Sequence, residues 1–245
     1  MSKTWELTLY AMVCMLLSHF PQAEEIKAGV MIFPPYFFQN KNKEPDGIYL
    51  KVMEKTLRNA NLEYRIDIYP AKRLYLNLGN GKTHLYLGIK GAPEYDDKVL
   101  YSTTKVSEIK MRIYANADTP LPITKKDIDH HRIGIIRGYS YGGLIKYFTE
   151  TKNNIEISST AEHLSSFKML KNRRVDYVIN YQYPSEAVLA DLEIPGVKYT
   201  DFHSINVYFI ISKFTPNAVE VLDRIEKSYL ELLERGEIKY MGPTD

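Results

Sequence analysis

One stretch limits what this chain can fold into more than any other. It is the apolar strand Leu85-Tyr86-Leu87, which runs into Gly88 and is broken at Gly91-Ala92-Pro93. A short apolar run that ends in glycine and proline reads as a buried strand followed by an irregular loop. In open α/β sheets the loops at the carboxyl ends of the strands are where ligands bind. The letters suit such an edge. Lys90 brings positive charge, Tyr95 a ring with a hydroxyl, and Gly91 lets the backbone come close to a ligand. A plain surface turn with a solvated lysine accounts for the same letters, so the flanking chain has to decide.

The flanks carry an alternation of strands and helices. Ile26 to Phe33 reads as a strand that ends in Phe33-Pro34-Pro35-Tyr36-Phe37-Phe38, because paired prolines forbid continued pairing. Ile48, Val52, Met53 and Leu57 give a helical stripe that runs through Asn59. Leu62 to Tyr69 is a strand, and Pro70-Ala71-Lys72-Arg73 opens a helix closed by Gly79 and Gly81. Lys105 to Ala115 alternates as a long strand. After Pro120 and Pro122 the rhythm repeats: strand Arg132–Ile136, glycine-rich turn 138–143, helix 144–149, strand 155–157, helix 161–171 and strand 173–180. Val207 to Ser212 reads as a return strand. Asn217 to Arg235 reads as a helix with Val221, Leu222, Ile225, Leu230 and Leu233 facing inward.

Composition narrows the function classes. The 245 residues carry a net charge of +2, so no basic field argues for nucleic acid. The 20 tyrosines exceed what a core needs and suggest an amphipathic binding surface, though half-buried body residues with wet hydroxyls account for many of them. Residues 1–23 have the form of a secretory signal: Lys3, an apolar run from Leu7 to Leu17, and Pro21-Gln22-Ala23 before Glu24. The run is shorter than the ~20 residues needed to cross a bilayer. Cys14 is the sole cysteine and lies inside it, so the exported chain has no disulfide or thiol chemistry. A periplasmic protein is expected.

Motifs for chemistry are scarce. His130 and His131 are adjacent and face apart, which argues against a metal site. No nucleophile elbow or phosphate loop is present. Asp96-Asp97 reads as a solvated loop run rather than an acid/base pair. The expectation is no catalytic residue, no metal and no cofactor.

The frame Gly88-Ile89-Lys90-Gly91-Ala92-Pro93-Glu94-Tyr95, with Tyr101-Ser102 behind it, resembles the G-M-T-I-T-P-E-R segment of the polar amino-acid family of periplasmic solute-binding proteins, bacterial extracellular solute-binding protein family 3. Other segments resemble it too. Phe33-Pro34-Pro35-Tyr36 is similar to its P-P-[YF]-x-[FY] turn, Arg137-Gly138-Tyr139-Ser140-Tyr141 to Q-G-T-T-x, and Arg174-Val175-Asp176-Tyr177-Val178-Ile179 to [RK]-V-D-A-V-V.

The resemblance implies a two-lobe, type II periplasmic-binding-protein-like α/β fold, each lobe a mostly parallel sheet flanked by helices. Lobe one would span 24–115 and 205–245, lobe two 116–204, with two crossing strands as the hinge. It implies a ligand site at Phe33, Tyr36, Arg73, Lys90, Gly91, Tyr95, Ser140, Tyr141, Asn180 and Tyr181. Ser140 stands where relatives contact a ligand carboxylate, although a mere helix cap explains a serine there equally well.

Two departures matter. The family's arginine is Tyr95 here and its aspartate is Tyr181, so both charged clamps for an α-amino acid are missing. An aromatic-stacking or anionic solute is expected instead, with Lys90 and Arg73 replacing the lost positive charge. The expected role is that of a monomer delivering its ligand to the permease of an ABC importer. The alternatives are a ligand-sensing partner of a membrane signalling protein and a cyclohexadienyl dehydratase-like enzyme.

Overall fold

The computed structural model describes residues 25–240. The signal-peptide expectation for residues 1–23, Cys14 included, lies outside the described residues.

The strands are β1 Ile26–Val30, β2 Phe38–Gln39, β3 Pro45–Asp46, β4 Tyr64–Ile68, β5 Leu85–Ile89, β6 Val99–Tyr101, β7 Ser107–Ala115, β8 Arg132–Ile136, β9 Glu156–Thr160, β10 Tyr177–Tyr181 and β11 Lys198–Ser212. The helices are α1 Ile48–Asn59, α2 Ala71–Gly79, α3 Ile145–Phe148, α4 His163–Lys171, α5 Gln182–Asp191 and α6 Ala218–Glu234. One sheet runs through the molecule in the order β4-β1-β5-β11-β7-β10-β8-β9, with β6 also on β11.

In the first half, β1 lies parallel to β4, Ile26 opposite Tyr64, and parallel to β5, Ala28 opposite Leu85. Helices α1 and α2 make these crossovers. α1 turns Tyr49, Leu50, Val52, Met53, Thr56 and Leu57 inward, and α2 turns Leu74, Tyr75 and Leu78 inward. All five residues of β5 are buried, as befits a central strand covered on both faces. The second half repeats the scheme, with β8 parallel to both β9 and β10.

β7 and β11 join the halves. They pair antiparallel from Val207 opposite Ser107 to Lys198 opposite Ala115, with a register shift between Asp201 and His203. β11 then continues against β5, while β7 pairs with β10. The crossings are therefore hydrogen-bonded to each other, β11 to the first half and β7 to the second. Arg112 braces them: it is buried, with Nε donating to Asp201 at 2.6 Å, Nη1 to Glu186 of α5 at 2.7 Å, and its guanidinium 4.1 Å from the Tyr199 ring centre. Each carboxylate is about half exposed, so the pairing contributes modestly and serves to orient Arg112.

Several expectations shift. β1 stops at Val30, three residues short of Phe33, because Pro34-Pro35 turns the chain and Phe33 pairs with Phe37 instead, N–H to O at 2.7 and 3.0 Å. Ile48 and Leu230, placed on inner stripes by their spacing, are exposed; Tyr49 and Tyr229 are buried beside them. The return strand starts at Lys198, nine residues before Val207. Its first part alternates half-buried with exposed positions and carries polar letters that hide a strand. α5 is absent from the periodicity reading because Ala187-Val188-Leu189-Ala190 is a continuous run with no helical stripe. Asp96 is not merely solvated: its Oδ1 accepts the Gly91 N–H at 3.1 Å and the Tyr101 hydroxyl.

Candidate functional site

The carboxyl ends of β1, β5 and β10 converge between the two halves, and aromatic side chains fill the space. Tyr181, the last residue of β10, stacks on Tyr141, with centroids 5.8 Å apart and planes 11° from parallel. Phe33 meets the Tyr181 ring edge-on at 5.1 Å, and Tyr139 lies 5.9 Å from it. On the far side Tyr36 sits 4.3 Å from Tyr49 and touches Tyr183 at 5.8 Å. Gly88 makes room for this packing. A Cβ there would fall 2.0 Å from the Tyr86 ring, which folds back across its own strand.

What remains is a cavity of about 20 Å³ bounded by Phe33, Tyr75, Tyr86, Tyr139 and Tyr181. That is room for about one water.

Several hydroxyls at or near it are used internally. Tyr141 accepts the Ile136 N–H at 2.7 Å, Tyr49 donates to Ser107 Oγ at 2.8 Å, and Tyr95 donates to the Ile89 carbonyl. Burial pushes the phenols of Tyr75, Tyr86, Tyr95, Tyr139, Tyr141 and Tyr181 upward, so all stay protonated at neutral pH. The cavity is uncharged, and a zwitterion would find no ionic partner in it.

His163, at the start of α4, touches this cluster. Its Nδ1 lies 2.9 Å from Asn180 Nδ2, while Asn180 Oδ1 accepts the Tyr181 N–H at 2.9 Å. Burial holds the imidazole down, to about 4, against a smaller opposing effect from Asn180. A histidine whose folded pKa lies below its unfolded value leaves stability untouched above the unfolded pKa. It removes stability as pH falls from about 6.5 to about 4, where the folded form also takes up the proton. The expected loss across that window is about 3 kcal/mol. Denaturant titrations at pH 7 and pH 4.5 check it: His163→Gln removes this share of the acid sensitivity, and an unchanged pH dependence would refute the assignment.

The two halves touch at backbone level. Gly91 has φ +91°, and a Cβ on it would lie 2.7 Å from Gly143 N and 2.8 Å from Gly142 C in the opposite half. Gly138 approaches α2 in the same way, its would-be Cβ 3.4 Å from Lys72 N.

Beside these contacts lies a second, larger chamber of about 450 Å³. Pro70, Ala71, Lys72, Tyr75, Pro93 and Glu94 form its wall on one side. Arg137, Gly138, Tyr139, Ser140, Ile145 and Lys146 form the other.

The residues singled out in the sequence distribute unevenly over this geometry. Phe33, Tyr36, Tyr141, Asn180 and Tyr181 come together in the aromatic cluster, and Gly91 forms the contact between the halves. Ser140 is buried on the wall of the larger chamber and makes no capping bond to the turn that follows, so the cap explanation fails. Tyr95 is fully buried with its hydroxyl on Ile89, and faces neither space. Arg73 is exposed and lines neither. Lys90 also lines neither; its ammonium sits 4.3 and 4.7 Å from the ring centres of Tyr208 and Tyr101, a cation–π arrangement that holds it at the surface. The basic residues that do reach the larger of these two spaces are Lys72, Arg137 and Lys146. Sequence reading missed them because lone lysines and arginines look like solvated surface. It also missed Tyr75, Tyr86 and Tyr139 as cavity walls. The apolar run of β5 was the one available signal, and it marks Tyr86 only as buried.

Among the described residues no group of three His, Cys, Asp or Glu side chains could hold a metal, and no helix is long and apolar enough to cross a membrane.

No protein-family model and no curated protein matches the chain. Solved structures do. A histidine kinase sensor domain with similarity to periplasmic binding proteins superposes with a TM-score of 0.73 at 14% identity, over 88% of this chain and 93% of that one. An ancestral arginine-binding protein bound to arginine gives 0.71 at 17% identity, over 88% and 95%. The arginine-, lysine-, histidine-binding protein ArtJ from Geobacillus stearothermophilus gives 0.68 at 16%, over 87% and 91%. At such identities the likeness speaks for the fold: this chain is built as a two-lobe α/β protein of the periplasmic-binding-protein type.

Proposed function

We propose that the chain binds a small solute between its lobes, on the outer side of a bacterial inner membrane, and presents the closed form to a membrane partner. The observation that carries this reading is the half-open chamber of about 450 Å³ where the two halves meet, which is within the size range of small-molecule pockets. β7 and β11 act as the hinge, with lobes divided near residues 115 and 205. The protein works as a monomer and binds without turnover. Standard amino acids are poor ligands, because uncharged Tyr95 and Tyr181 occupy the positions where a zwitterion's clamps would stand.

Native mass spectrometry of the freshly purified chain is expected to show a retained small molecule. A thermal-shift screen is expected to show stabilisation by aromatic or anionic solutes. Tight, stereospecific stabilisation by a standard amino acid would overturn the ligand reading.

Delivery to an ABC-type permease is one role for the closed form, and a substrate binding protein of an amino acid ABC transporter among the structural neighbours supports it. Docking onto a membrane sensor is the other, supported by the histidine kinase sensor domain. Crosslinking in membranes separates them by which partner is captured. Turnover of prephenate or arogenate, lost in Glu94→Gln, would instead establish an enzyme.

A further inference from the structure

We infer that the larger chamber is an anion site, and that the solute is an organic anion with a carboxylate or phosphate on a small apolar body. This rests on the reading that the space between the lobes holds a solute, and it names the ligand's chemistry.

Charge comes first. Lys72, Arg137 and Lys146 line the chamber, against one carboxylate, Glu94. None of the three cations has an ion-pair partner among the described residues. Arg137 Nη2 makes a single long contact, 3.5 Å, to the Ser159 carbonyl. Three unpaired cations around one cavity raise the local concentration of anions there. The chamber also abuts the start of α2, where Pro70, Ala71 and Lys72 form the wall. Arg73 N–H already bonds the Pro70 carbonyl, so the amides left without a partner within the helix are those of Ala71 and Lys72, where the dipole favours negative charge.

A second, separate observation points the same way. Ser140 is 3% exposed and lines the chamber. Its Oγ meets no donor or acceptor in hydrogen-bonding geometry, although the Tyr75 hydroxyl lies close enough to feel it. A buried hydroxyl left this way favours a ligand oxygen.

The remaining wall is apolar: Pro70, Ala71, Pro93, Ile145 and the ring faces of Tyr75 and Tyr139. A bare inorganic ion would leave that surface unused, whereas a ring or short chain carrying the anion covers it. The aromatic cavity nearby is too small to compete, at about 20 Å³.

Titration calorimetry on the exported chain, using benzoate, phenyl phosphate, neutral benzyl alcohol and cationic benzylamine, tests this. The two anions are expected to bind and the other two not, with affinity falling as salt rises. Arg137→Gln and Lys146→Gln are each expected to weaken anion binding about 10-fold or more, the loss of one charge-assisted hydrogen bond. Their melting temperatures stay unchanged because both side chains are exposed. Glu94→Gln is expected to tighten binding several-fold, a gain that damage to the fold cannot mimic.

Equal binding of benzyl alcohol and benzoate, or anion binding indifferent to Arg137→Gln and Lys146→Gln, overturns the anion site and leaves solute binding standing. Failure of all four probes also overturns it. A solute retained in native mass spectrometry then shows that the lobes still hold something, and its absence shows that the reading of a solute-binding protein falls as well.

Discussion

Replacing Tyr181 by alanine is expected to destabilise the protein by about 3–5 kcal/mol, the range seen when a large buried ring is cut back to a methyl. The ring is 3% exposed and touches three others: Tyr141 in a stack, Phe33 edge-on and Tyr139 tilted. Two of those neighbours cannot collapse inward, because each is held elsewhere. Tyr141 is tied to the Ile136 amide, and Phe33 is locked into its turn by two backbone bonds to Phe37. The cavity therefore stays open, which puts the cost toward the upper end of the range.

Tyr181→Asp, which returns the residue the family resemblance implies, is expected to be worse still: it opens the same hole and buries a carboxylate among uncharged phenols. Urea denaturation monitored by circular dichroism measures both. A loss below 1 kcal/mol for Tyr181→Ala would mean the ring does not pack as described. The functional corollary is that a charged clamp cannot be restored here by one substitution, since the surrounding tyrosines were built around a ring.

The same cluster shows what the sequence could and could not tell. The alternation of strands and helices placed β4, β5, β7, β8 and α1 close to where they lie, because each is a clear apolar run or periodic stretch, most with a glycine or proline near one border. Phe33, Tyr36, Tyr141 and Tyr181 were legible as neighbours because the resemblance puts their loops at one cleft. Direction was not legible. Tyr95 reads as a cleft residue, yet its hydroxyl satisfies the Ile89 carbonyl six residues back, a pairing that spacing along the chain does not announce. Lys90 likewise reads as the ligand's cation, but Tyr208, far along the sequence on β11, supplies a ring that holds it at the surface. Arg137 and Lys146 gain meaning only from the chamber they border, and a chamber is a property of two halves meeting.

That meeting is the basis of the other large effect, which falls on Gly91. Valine at this position faces two penalties. A side chain at φ +91° is strained whatever the space around it, by roughly 1–3 kcal/mol. Its Cβ also enters the backbone of Gly142 and Gly143 at 2.7–2.9 Å, and backbone cannot swing aside as a flexible side chain does. Relief requires the two halves to separate. Gly91→Val is therefore expected to favour an open form, seen as a larger radius of gyration in small-angle scattering. A closure penalty of about 3 kcal/mol would weaken any solute held between the lobes roughly 100-fold.

Gly236→Ala isolates the first penalty, because Gly236 also has positive φ, +69°, while nothing lies within 4 Å of its would-be Cβ. That variant is expected to lose about 1–2 kcal/mol of stability with no change in dimensions or affinity. Should Gly91→Val and Gly236→Ala scatter alike and bind alike, the Gly91 contact does not gate closure, and the two halves do not open along this seam.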